Sequence, residues 1–133
     1  MSLLPASCYP GASHVLIVDD DPFVRDVIAM ILDSLGYSVT ATGNGFEALR
    51  WLETEPYDLV ISDLKMPGLD GPALYKEILA RWPTGGPRVL FTSGFAETFR
   101  YTEAPGTRDV PVLRKPFTVE ALRHAVAGMP TPV

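Results

Sequence analysis

Short apolar runs rich in Val, Ile and Leu alternate along the chain with longer stretches whose apolar residues recur every three or four positions. A short apolar run suits a strand buried on both faces, and the wider spacing suits a helix with one apolar stripe. Their alternation predicts an α/β fold, a parallel sheet covered by helices on both sides. Five strands are expected, at His14 to Val18, Ser38 to Thr42, Leu59 to Ser62, Arg88 to Thr92 and Val110 to Leu113. Between the first two, Phe23, Val24, Val27, Ile28, Ile31, Leu32 and Leu35 form one wide stripe. Asp21 is placed to cap that helix, Pro22 to open it and Gly36 to close it. Phe46, Leu49 and Leu52 mark a second helix, Leu74, Ile78 and Trp82 a third, and Val119, Leu122 and Val126 the last. From Ala96 to Asp109 the chain carries Thr98, Thr102, Pro105, Gly106 and Thr107, so a fourth helix there is expected to be short or irregular.

A length of 133 residues suits one domain. The expected division is an irregular lead-in at 1–13, the domain at 14–129 and a tail at 130–133, with no separate output domain. A net charge of −5 argues against a surface that tracks nucleic-acid phosphates and favours a protein or small-molecule partner. The longest aliphatic run, Val15 to Val18, is far too short to span a membrane. With Cys8 as the single cysteine, no intrachain disulfide forms, and a cytoplasmic location is expected.

In an open parallel sheet, ligands bind at the carboxyl ends of the strands. The residues that follow each strand here are polar: Asp19, Asp20 and Asp21 after the first, Asp63 after the third, Ser93 and Gly94 after the fourth, Lys115 and Pro116 after the fifth. Asp21 is accounted for as the helix cap. Asp19, Asp20 and Asp63 are not, and close carboxylates repel by about 4 kcal/mol per pair at an effective dielectric near 20. A hard divalent cation with oxygen ligands, such as Mg²⁺, would relieve that repulsion. One such ion together with Lys115 balances the three acids, so an incoming phosphoryl group meets a neutral pocket. A carboxylate beside a metal can then act as a nucleophile and form an aspartyl phosphate. Lys115 and the Ser93 hydroxyl can contact phosphoryl oxygens. The alternative for each residue alone is an ordinary turn: Asp, Ser-Gly and Lys-Pro all favour turns.

Taken together, VLIVDDDP (Val15 to Pro22), ISDLKMPGLDG (Ile61 to Gly71), VLFTSG (Val89 to Gly94) and RKPF (Arg114 to Phe117) resemble the motifs of response-regulator receiver domains in bacterial two-component signalling. The resemblance covers His14 to Met129. It implies a flavodoxin-like, doubly wound five-stranded sheet in the order 2-1-3-4-5. It further implies that Asp63 is phosphorylated, that Asp20 binds Mg²⁺ directly and Asp19 through water, and that the Lys65 backbone carbonyl completes the protein's share of the metal shell. Ser93 would be the hydroxyl switch residue and Lys115 the phosphoryl contact, with a cis bond between Lys115 and Pro116. The donor would be a histidine kinase or a histidine phosphotransfer domain, and the output a switched protein-interaction surface. Self-phosphoryl transfer and slow autodephosphorylation would be its only chemistry.

The sequence departs from the pattern at Val112, where the family carries an aromatic residue that relays the signal. With the interruption at Pro105 and Gly106, this predicts a different readout, an ordering of Phe95 to Asp109 upon phosphorylation. Lys65 and Phe95 occupy the positions that tune phosphoryl lifetime in the family. The Ser-Gly end of the fourth strand and the degenerate fourth helix resemble receivers of hybrid sensor kinases; a single-domain regulator is the alternative. Two further readings compete. GNGFEA (Gly43 to Ala48) fits a dinucleotide-binding pattern, but it follows the second strand and leaves Asp19, Asp20 and Lys115 unexplained. An aspartyl-phosphate phosphatase usually has a second acid two residues after its nucleophile, where this chain has Lys65. His14 and His124 suggest neither a zinc pair nor a phosphohistidine.

Overall fold

In the computed structural model, residues 14–94 and 110–127 are described. The elements are β1 (His14–Val18), α1 (Pro22–Ser34), β2 (Ser38–Thr42), α2 (Gly45–Thr54), β3 (Leu59–Asp63), α3 (Gly71–Arg81), β4 (Arg88–Ser93), β5 (Val112–Arg114) and α4 (Val119–Ala127). The strands form one parallel sheet, as the alternating pattern predicts, in the order β2-β1-β3-β4-β5 that the resemblance implies. The expected irregular helix at Ala96 to Asp109, the lead-in with Cys8, and Phe95 lie outside the described residues.

Successive strand residues point to opposite faces, and the two cores follow that alternation. Leu16, Val18, Val60, Val89 and Phe91 pack against Ala48, Leu49 and Leu52 of α2 and Leu74 and Ile78 of α3. Val15, Ile17, Leu59, Ile61 and Leu90 pack against Ile28 and Leu32 of α1 and Leu122 and Val126 of α4. Burial on both faces explains why β1, β3 and β4 read as continuous apolar runs.

Each described helix begins at the edge where the strands end, and each has a capped first turn. Asp21 Oδ1 accepts from the Phe23 N–H at 2.9 Å, Asn44 Oδ1 from Glu47 at 2.8 Å, Asp70 Oδ1 from Ala73 at 3.0 Å and Thr118 Oγ1 from Ala121 at 2.9 Å. Gly36, with φ of 97°, closes α1 as expected, its N–H bonded to the Asp33 carbonyl.

Several boundaries differ from the sequence-based expectation. β3 and β4 each run one residue further, so Asp63 and Ser93 end their strands instead of following them. β5 begins at Val112, not Val110. Pro111 has no N–H to give, and only its carbonyl joins the edge, accepting from Phe91 at 2.9 Å. Trp82 is the C-cap of α3 and not a member of it. Phe23, Phe46 and Val119, expected on apolar stripes, are 74%, 60% and 55% exposed. All three sit in the first turn of their helices. Periodicity fixes a residue's angle about the helix axis but not whether the sheet reaches it.

Candidate functional site

Three strand ends converge at the top of the sheet. β1 delivers Asp19 and Asp20, β3 ends in Asp63, and the turn after β5 supplies Lys115. One carboxylate oxygen from each of Asp19, Asp20 and Asp63 lies within 4.8 Å of the others. Asp19 and Asp63 are buried and Asp20 is exposed, so the cluster is open to solvent at Asp20. Lys115 Nζ stands between two of the acids, 3.2 Å from Asp19 Oδ2 and 3.3 Å from Asp63 Oδ2.

The local chain explains this convergence. Asp19 is held on four sides: its N–H donates to the Thr42 carbonyl at 3.1 Å, its Oδ1 accepts from the Asp21 N–H at 2.9 Å, its Oδ2 accepts from Lys115, and its carbonyl accepts from Arg25 Nη1 at 3.0 Å. Asp63 is fixed by the β3–β4 register, opposite Thr92, and the next N–H, of Leu64, donates to the Thr92 carbonyl at 2.8 Å. Gly71, the first residue of α3, lets that helix lie against β3. A Cβ there would come 2.6 Å from the Asp63 carbonyl oxygen and 2.9 Å from Leu64 Cα. Lys115 is set by its N–H, which donates to the Ser93 carbonyl at 2.7 Å; the Lys115–Pro116 bond is cis, as the resemblance implies.

The electrostatics follow from burial and crowding. Burial pushes the Asp63 carboxyl above its ordinary range; Lys115 pulls it back and Asp19 pushes it up again, leaving it raised. Burial works against the Lys115 ammonium, but Asp63 and Asp19 together more than offset this, and its pKa is raised. Among the described residues, Lys115 is the one cation paired with these carboxylates, so the formal charges of Asp19, Asp20, Asp63 and Lys115 leave an excess of two negative charges. That imbalance, the oxygen-only donor set and the open side at Asp20 fit a hard divalent cation.

The structure thus gathers Asp19, Asp20, Asp63 and Lys115. Ser93 lies at the end of the strand beside β3, fully buried, with its backbone carbonyl tied to Lys115. Lys65 follows Asp63 by two residues and is exposed. The glycine-rich segment does not form an open phosphate cradle. A Cβ at Gly45 would meet the Leu69 carbonyl oxygen at 2.6 Å, one at Gly43 would meet Arg25 Nη1 at 2.9 Å, and Asn44 is occupied as the α2 cap. These glycines accommodate the chain's own neighbours. Sequence reasoning passed over Arg25, whose only signal was a cation on the fourth residue of a helix, near the end where the macrodipole disfavours it.

Comparison with known proteins agrees with this geometry. Residues 15–127 match the response regulator receiver domain family. Response regulator receiver protein CpdR of Brucella abortus is 31% identical over 116 residues, covering 87% of this chain and 95% of that protein. Sensor kinase CckA of the same organism is 35% identical over 121 residues, 90% of this chain but 13% of that protein. The chain spans only 13% to 18% of the length of the first curated relatives it matches. The signal receiver domain of a histidine kinase from Syntrophus aciditrophicus superposes with a TM-score of 0.76 at 29% identity, covering 87% of this chain and 88% of that one. No described helix is long and apolar enough to cross a membrane. With the sheet order, the acid cluster and the family match in agreement, the chain belongs to the response regulator receiver domains of two-component signal transduction.

Proposed function

We propose that Asp63 is the phosphoacceptor and that a phosphohistidine on a histidine kinase or a histidine phosphotransfer domain is the donor. The observation that carries this reading is the placement of Lys115 Nζ, within 3.3 Å of both Asp19 and Asp63, beside a third acid that leaves one side of the pocket open. An Asp63 carboxylate oxygen attacks phosphorus, the P–N bond to the donor imidazole breaks, and the imidazole nitrogen keeps the electron pair and takes up a proton. Mg²⁺, when bound, supplies the charge that balances the acids and the phosphoryl oxygens. Asp20 and Asp63 would hold it directly, Asp19 through water, and the Lys65 carbonyl would complete the protein's share. Lys115 then turns from the carboxylates toward a phosphoryl oxygen, and the Ser93 hydroxyl donates to another.

Lys65 stands where a phosphatase of this chemistry would place a general acid-base carboxylate, so turnover of outside phosphomonoesters is expected to be negligible. The kinase relative supports a histidine kinase donor. The readout is proposed to differ from the family's aromatic relay, because Val112, half-buried against the α2–α3 core and paired with Phe91, has no ring to move. Intact mass after incubation with acetyl phosphate and Mg²⁺ tests the acceptor. One added phosphoryl group, absent in Asp63→Asn, is expected; equal labelling of the variant would refute it.

A further inference from the structure

We infer that Arg25 is a positioning residue for the cation site, that it acts on the backbone between Asp19 and Asp20, and that Gly43 exists to admit it. This inference rests on the cation site proposed above.

Arg25 is the fourth residue of α1 and is half-buried. A guanidinium near a helix N-terminus works against the macrodipole, so its placement needs an offsetting contact. The contact is Nη1 donating to the Asp19 carbonyl at 3.0 Å. Among the described residues, Arg25 is in no ion pair with a carboxylate. This separates its role from that of Lys115, whose ammonium occupies oxygens of Asp19 and Asp63 that a cation also needs. Arg25 fixes the peptide group that leads into Asp20, the exposed member of the acid cluster, without itself occupying a carboxylate oxygen of that cluster.

Asp20 needs such a constraint. Asp19 is anchored through its N–H and both carboxylate oxygens, whereas Asp20 is exposed and follows a strand that ends at Val18. Groups that orient a metal ligand without touching the metal typically change affinity tenfold or more when removed. Gly43, just past β2, completes the arrangement. A Cβ at that position would lie 2.9 Å from Arg25 Nη1, too close for the guanidinium to stay where it is. The obstructing atom belongs to the far end of a flexible side chain, so Gly43→Ala would displace the guanidinium and leave the sheet intact.

The test is a Mn²⁺ titration of the full chain, with free Mn²⁺ read by electron paramagnetic resonance and folding checked by thermal unfolding in EDTA. Arg25→Ala is expected to weaken Mn²⁺ binding about tenfold. Arg25→Lys, which keeps one donor for the same carbonyl, recovers part of the loss. Gly43→Ala weakens binding when Arg25 is present and adds nothing in the Arg25→Ala background, because both changes remove one contact. Unchanged Mn²⁺ affinity in Arg25→Ala, or full additivity of the two losses, would overturn the inference while leaving the cation site standing. Absence of Mn²⁺ binding by the unaltered chain would overturn both.

Discussion

Replacing Lys115 with methionine removes a cation that pairs with both Asp19 and Asp63, and the structure sets the size of the effect. At 3.2 and 3.3 Å, each lost attraction is worth about 5 kcal/mol at an effective dielectric of 20. Most of this is offset, since the ammonium no longer has to be taken out of water, a cost of several kcal/mol. The side chain is also 24% exposed, which screens both pairs. A net loss of about 2–3 kcal/mol is expected for removing one partner of a largely buried cluster. In urea, with a slope near 1.5–2 kcal/mol/M, the midpoint in EDTA at pH 7.5 should fall by about 1–2 M. The loss should also depend on pH in a definite sense. Asp63 already has a raised pKa, so its protonated form favours folding at low pH and that contribution disappears as pH rises through the folded-state value. Without Lys115 the pKa rises further, so the deficit is greatest at neutral pH and shrinks on acidification. Saturating Mg²⁺ should narrow it as well, because the variant's pocket starts with one more uncompensated negative charge. A loss that does not shrink on acidification from pH 7.5 and is the same with and without Mg²⁺ would refute the electrostatic account of the pocket.

Three other perturbations probe separate parts of the structure. Asp63→Asn should raise the thermal midpoint in EDTA at pH 7.5, because the ionised carboxylate with its raised pKa opposes folding above that pKa; the gain should fade as pH drops toward its ordinary 3.8, and a pH-independent change would contradict it. Gly71→Ala would press a Cβ against backbone atoms of Asp63 and Leu64, so a loss of about 1–3 kcal/mol in urea unfolding is expected, together with slower labelling of Asp63 by acetyl phosphate. Leu32→Ala, in the α1–α4 core and fully buried, should cost about 2–5 kcal/mol in the same unfolding assay while leaving the Mn²⁺ affinity of the folded protein unchanged.

The architecture was legible because each level of the sequence agrees with the next. Strands buried on both faces must be apolar throughout, and Asp21, Pro22 and Gly36 bracket α1 with residues suited to caps and stops. The acid pocket was legible because parallel strands place whatever follows them at one edge, so Asp19, Asp20, Asp63 and Lys115 read as neighbours despite separations of up to 96 residues. What could not be read were facts that depend on distance in space. That Phe23 and Phe46 are exposed depends on where each helix sits along its axis. That β5 starts at Val112 depends on which Pro111 group meets β4. The contact of Arg25 with the Asp19 carbonyl, and the need for glycine at Gly43 and Gly71, arise from close approaches that no periodicity records.

The central claim, that Asp63 carries the phosphoryl group, is tested most directly by borohydride trapping. Reduction of an aspartyl phosphate converts that aspartate to homoserine, which peptide mass spectrometry locates. After incubation with a phosphorylated histidine donor and Mg²⁺, homoserine at position 63 alone is the expected result. Homoserine at position 19 or 20, or none despite intact-mass evidence of phosphorylation, would contradict the account.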